Sequence, residues 1–160
     1  MVTSGLSKAF GLPGLRIGWA VAPAGLIREL WVRHDYTTLT PNILSDWFAS
    51  IAMEPDRRER ILARTRGIIR ENLPRLESWI GAQRALSYIR PRAGAIAYVG
   101  YDLPIGSTEL IDRIRTAHSV LLVPGDMFGL ADGFRIGFGF DPHEMEHALE
   151  RVATSLQPPS

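Results

Sequence analysis

The sequence predicts an α/β protein, and three observations carry that reading. Strand-like alternation and helix-like periodicity take turns along most of the 160 residues. One apolar stripe keeps helical period from Glu54 to Ile80, far longer than a strand. Two strand candidates, at Arg16–Ala22 and Phe134–Phe140, set an arginine among small residues on one face and bulky apolar residues on the other.

Size and composition narrow the function. The chain is long enough for one domain or two small lobes with a real core. Its 18 basic and 17 acidic side chains leave a net charge of +1, which gives no electrostatic case for nucleic acid or an anionic membrane. Cysteine is absent, which excludes disulfides, thiolate chemistry and cysteine-held zinc and fits a reducing compartment. The apolar run Gly18–Ile27 contains Pro23 and two glycines and is too short to span a bilayer. No targeting segment, repeat or low-complexity tract is visible, and the tail Pro158–Ser160 reads as disordered.

The elements follow in order. In Arg16–Ala22, residues Ile17, Trp19 and Val21 share one strand face, and Arg16, Gly18, Ala20 and Ala22 the other. Ala24–His34 reads as a helix with Leu26, Ile27, Leu30 and Trp31 inward. After the polar turn Asp35–Thr38, Pro41–Met53 reads as a second helix with Ile43, Leu44, Trp47, Phe48 and Ile51 inward. The long helix buries Ile61, Leu62, Ile68, Ile69, Leu73, Leu76 and Ile80; Pro74 is expected to kink it and its arginines to face water. Strands are expected at Ser87–Ile89, Ala95–Tyr101, Val120–Val123 and Phe134–Phe140. Ser107 is the expected N-cap of a helix through about His118 that buries Leu110, Ile111 and Ile114. Asp141, Pro142 and Glu144 give the last helix an N-cap, a first-turn proline and a capping-box acid, with Met145, Leu149, Val152 and Leu156 inward. A domain change is expected near residue 55.

One motif is set aside. His143-Glu144-Met145-Glu146-His147 spells the H-E-x-x-H zinc pattern, but both histidines lie opposite the apolar stripe of their helix. Glu144 is already explained by capping, no third ligand is evident, and the reading is no metal.

The chemistry concentrates in Thr3–Trp19, TSGLSKAFGLPGLRIGW. Lys8 sits in a small-residue turn where its amine can form an imine with a carbonyl. Arg16 lies a short way on, and a guanidinium fork holds a phosphate through paired hydrogen bonds. Taken singly, Lys8 would be a surface charge and Arg16 an ion-pair partner. Taken together, the segment resembles the lysine signature of class I/II aminotransferases, the fold-type I enzymes that use pyridoxal phosphate (PLP). It matches at Ser7, Lys8, Gly14, Arg16 and Gly18 and departs at Gly5, where the family has a serine that also touches the phosphate. FRIGFG, preceded by Pro124-Gly125-Asp126-Met127-Phe128, is similar to the family element whose arginine, here Arg135, binds the substrate α-carboxylate. Without Lys8, Arg135 would read as a strand arginine paired with a neighbouring acid.

The resemblance implies the end of a large PLP-binding domain over residues 1–55, then a bridging helix and a small C-terminal α/β domain over 56–160. It implies Lys8 as the Schiff-base lysine and proton carrier, Arg16 on the phosphate with Ser7 beside it, and Arg135 on the carboxylate of an amino acid or 2-oxo acid. It further implies a homodimer in the cytoplasm, with the Tyr36–Thr38 turn a candidate for reaching the partner's cofactor. The family's other cofactor contacts precede its lysine, so the chain is read as the C-terminal part of a longer enzyme, weak in PLP binding and transamination by itself. Two alternatives stay open: a related PLP decarboxylase or carbon–sulfur lyase, and the aminotransferase-like sensing domain of a transcription regulator.

Overall fold

The computed structural model describes residues 1–156, so the tail reading at Pro158–Ser160 lies outside the described residues. The chain divides into two compact units, Met1–Arg66 and the remainder from Gly67 on.

In the first unit, β1 (Val2–Gly5) pairs antiparallel with β2 (Gly18–Val21), so that Val2 faces Val21 and Gly5 faces Gly18. The sequence reading contained no β1, because VTSG is short and has no apolar alternation. The loop between the strands is closed by Leu6 N–H donating to Ile17 O at 3.0 Å and Leu12 N–H to Leu6 O at 2.9 Å. Leu6 and Phe10 are buried and pack with Ala49, Leu12, Leu15, Ile17, Met53, Ile61 and Leu62 into a small core.

Two helices of this unit differ from expectation. The first, α1 (Ala24–His34), has the expected bounds, but none of its residues is buried, and Trp31 stands 64% exposed. The second, α2 (Ile43–Met53), is capped by Asn42, whose Oδ1 accepts from Leu44 N and Ser45 N. It turns Ala49 and Ala52 inward and leaves Ile43, Leu44, Trp47 and Phe48 exposed, the reverse of the expected face. A helix lying close against the Leu6–Leu15 loop needs small side chains at the contact. Periodicity alone does not say which of two apolar faces meets the core.

The long helix α3 (Pro55–Ala82) runs unbroken through Pro74. Its first part supplies Ile61 and Leu62 to the small core. In the second unit its remainder supplies Ile69, Leu73, Leu76 and Ile80 to a larger core. That core sits on one face of a four-stranded antiparallel sheet ordered β3 (Leu86–Tyr88), β4 (Ile96–Tyr101), β6 (Gly133–Gly137), β5 (Val123–Pro124). Directly opposed residues of antiparallel strands point to the same face. Ala97, Val99, Phe134 and Ile136 therefore meet α3, α4 (Ser107–His118) and α5 (Pro142–Ser155). The other face carries Ile96, Tyr98 and Arg135. Helices over a mixed-order sheet agree with the α/β expectation.

Helix ends are settled individually. Asp141 caps α5 as expected, its Oδ1 accepting from His143 N and Glu144 N, and Met145, Leu149, Val152 and Leu156 are buried. His143 and His147 are exposed, as the stripe requires. Ser107 is not the N-cap of α4; Gly106 holds that position, and Ser107 lies inside the helix with its Oγ accepting from Asp126 N at 3.0 Å. The strand expected at 120–123 is instead the two-residue β5 at Val123–Pro124, although Val120 and Leu122 are buried. No described helix is long and apolar enough to cross a membrane.

Asn72 is the one fully buried polar side chain on α3. Its Nδ2 donates to Phe138 O at 2.9 Å and Phe140 O at 2.8 Å, tying the helix to the segment that leaves β6. Removing a donor from a buried carbonyl costs roughly 1–3 kcal/mol. Asn72→Ala is therefore expected to lower stability by about that amount in urea unfolding, and a loss under ~0.5 kcal/mol would contradict the tie.

Candidate functional site

The loop between β1 and β2 holds three of the sequence-derived site residues. Ser7 directly follows Leu6 and Arg16 directly precedes Ile17, so the hydrogen bond joining Leu6 to Ile17 brings their backbones together at the loop's base. Lys8 comes next, exposed between the buried anchors Leu6 and Phe10, with its carbonyl accepting from Gly11 N at 3.0 Å. Gly11 has φ of 64°, a left-handed turn that glycine adopts without steric cost.

Arg16 is where the structure departs from the strand reading. It lies outside β2, at the end of the short 3-10 turn Pro13–Leu15, with φ of 54°. A side chain with a Cβ in this left-handed region is strained by about 1–2 kcal/mol. The Pro13 carbonyl offsets this, accepting both the Arg16 backbone N–H at 3.3 Å and Nη1 at 3.0 Å. Arg16 therefore does not share a strand face with Gly18 and Ala20; the turn sets its direction instead.

Gly5 and Gly18, the paired residues beneath the loop, leave almost no room. A Cβ on Gly5 would lie 3.0 Å from Ile17 O, and one on Gly18 would lie 3.1 Å from Ser4 O. The departure at Gly5 is thus matched to a close approach of the two strands.

The residues fit an aldehyde carrying a phosphate. Among the described residues, neither Lys8 nor Arg16 is in an ion pair, and Lys8 makes no side-chain hydrogen bond. Only one guanidinium contact is spent, on Pro13, which leaves the remaining N–H groups of Arg16 without a protein partner among the described residues and open to an anion.

The fourth site residue lies in the second unit. Arg135 stands exposed on the outer face of β6, opposite Tyr98 of β4 and Val123 of β5. Its Cζ lies 5.2 Å from the centre of the Phe128 ring. Among the described residues it has no carboxylate within ion-pair distance, contrary to the alternative of a strand arginine paired with an acid. Tyr98 fits here because Gly125 and Gly133 carry no side chain; a Cβ on either would collide with its phenol oxygen. Burial, with Asp126 and Asp132 nearby, pushes that phenol above its ordinary range, so it stays neutral.

Asp126 is engaged elsewhere. Its Oδ2 accepts from Thr108 N at 3.1 Å and Thr108 Oγ1 at 2.9 Å, capping α4 from a distance. Hydrogen bonding from the Ser107 hydroxyl, and then from Thr108, holds its carboxyl below the usual range. Phe128, Tyr98 and this clamp were not singled out from sequence. The aromatic in P-G-D-M-F and the alternation that places Tyr98 beside Ile96 were the available signals.

Comparison with known proteins gives the family. The model of the family aminotransferase class I and II matches residues 1–152, and the chain belongs to that family, whose members depend on PLP. The chain is 37% identical to capreomycidine synthase of Streptomyces vinaceus over 94% of its own length and 39% of the relative's. A PLP-dependent aminotransferase from Streptococcus suis superposes with a TM-score of 0.92 at 32% identity, over 96% of this chain and 41% of that one. The PLP-dependent cyclase OrfR gives 0.87 at 31% identity, over 96% and 42%. The chain thus spans about two fifths of the length of the proteins it matches.

Proposed function

We propose that this chain supplies the lysine, phosphate and carboxylate contacts of a PLP-dependent aminotransferase that moves an amino group between an α-amino acid and a 2-oxo acid. The observation that carries the reading is the closed β1–β2 loop over a tight strand pair, with two cations, Lys8 and Arg16, that have no ion-pair partner among the described residues. When bound, PLP supplies an aldehyde and an electron-withdrawing ring. Lys8 Nζ would hold the aldehyde end of the cofactor, and its free amine would hold and move the proton at the substrate α-carbon. The uncommitted N–H groups of Arg16 bind the phosphate, with the Ser7 hydroxyl beside them. Arg135 binds the substrate carboxylate and so orients the α-carbon bonds, which selects the bond that breaks.

In the same reading, residues 1–55 finish a large PLP-binding domain, and residues 56–160 form the bridging helix and small domain. The assembly is a cytoplasmic homodimer, since family members are typically dimers acting on amino and keto acids. A second reading, a PLP-dependent synthase or cyclase, is favoured by the likeness to capreomycidine synthase and to the cyclase OrfR.

Borohydride reduction of the full-length protein with PLP, followed by peptide mapping, is expected to leave the pyridoxyl label on Lys8. A label on another lysine with Lys8 bare overturns the reading. Mass spectrometry of products then separates the two reactions: a 2-oxo acid formed from each amino donor supports transamination, and a cyclised amino acid supports the second.

A further inference from the structure

Arg135 has a long, flexible side chain on an open sheet face, yet it must present its fork in one direction to pair with a carboxylate. Holding such a side chain in one rotamer opposes considerable conformational entropy. The structure contains a device for this. The guanidinium lies over the Phe128 ring at 5.2 Å. A ring attracts a cation through its face. A carboxylate takes a guanidinium through its edge, by two in-plane hydrogen bonds. The two interactions therefore do not compete, and the ring leaves the edge free while restricting rotation.

Phe128 is itself well fixed, although half-exposed. It ends the 3-10 turn Gly125–Phe128, closed by Gly129 N–H to Asp126 O and Leu130 N–H to Gly125 O, both at 3.1 Å. Asp126 bolts that turn to the start of α4 through Thr108 and through its own N–H to the buried Ser107. The same bonds keep the Asp126 carboxylate occupied, two residues from the ring that Arg135 covers. An acid left free here would be a rival for the guanidinium.

We propose that Phe128 is a positioning residue for Arg135: with Asp126 anchored on α4, its ring holds the guanidinium edge-out to receive a substrate carboxylate. The inference rests on the reading of Arg135 as the carboxylate site.

The test uses the full-length protein loaded with PLP and two probes, L-alanine and ethylamine, titrated at equilibrium by absorbance; they differ by the carboxylate. Phe128→Leu is expected to weaken L-alanine roughly three- to tenfold, with ethylamine unchanged and Phe128→Tyr restoring the wild-type value. Asp126→Ala should shift L-alanine in the same direction, and the exposed neighbour variant Met127→Ala should shift neither probe. A second measurement needs no ligand: the rate at which phenylglyoxal modifies Arg135, followed by peptide mass spectrometry, should rise in Phe128→Leu. Wild-type behaviour of Phe128→Leu in both measurements overturns the inference. Arg135→Gln separates it from its premise. If Arg135→Gln still prefers L-alanine over ethylamine as the wild type does, the carboxylate reading falls. If it loses that preference while Phe128→Leu keeps it and reacts normally, only the positioning role falls.

Discussion

Lys8→Ala in the full-length protein should lower turnover by roughly 10³-fold or more while leaving the thermal midpoint almost unchanged. The separation follows from where the lysine stands. Its neighbours Leu6 and Phe10 carry the packing of the loop, and the backbone bonds from Leu6 to Ile17 and from Leu12 to Leu6 do not involve the Lys8 side chain. An exposed side chain without partners contributes at most about 0.5 kcal/mol to stability. The amine, by contrast, is assigned both the resting bond to the aldehyde and the proton at the substrate α-carbon. Lys8→Arg keeps the charge and should fail equally, because a guanidinium does not deprotonate to form an imine. Single-turnover kinetics together with calorimetry check this. Turnover within tenfold of wild type for Lys8→Ala would remove the lysine from the chemistry.

Phe134→Ala should cost about 3–5 kcal/mol, the range for deleting a fully buried aromatic ring. Phe134 has no exposed surface, stacks on Tyr101 with ring centres 6.4 Å apart, and lies on the core face of β6. It is also the residue immediately before Arg135, so the cavity opens beneath the strand that carries the guanidinium. Urea unfolding should show a lower midpoint with an unchanged slope. Ile96→Ala, on the opposite face and half-exposed, is the comparison and should cost under about 1 kcal/mol. Equal losses for the two would mean that the sheet's faces are wrongly assigned.

Much of the candidate site was legible because it depends on residue type at short spacing. Lys8, Ser7 and Arg16 lie within one loop, and Arg135 with its alternating neighbours lies within one strand. What failed were statements about which way a residue faces when both ways are locally acceptable. The α2 helix is apolar on two faces, and only the packed loop at Leu6–Leu15 requires alanines rather than Trp47 and Phe48 at the contact. Arg16 fitted a strand alternation on paper, yet Pro13 and Gly14 initiate a tight turn that ends in a left-handed arginine. Phe128 and Asp126 were visible as letters in P-G-D-M-F, but their partners Arg135 and Thr108 come from other elements.

The sequence by itself determined the bounds of α1 and α4 to within a residue or two, and the start and inward stripe of α5, because propensity and capping act over a few residues. Only the tertiary structure decided the outward face of α2, the turn that bends Arg16, the glycine space around Tyr98 and the aromatic support under Arg135. Those depend on contacts between segments far apart in the chain, where steric fit rather than local preference selects among arrangements that are equally good for each segment alone.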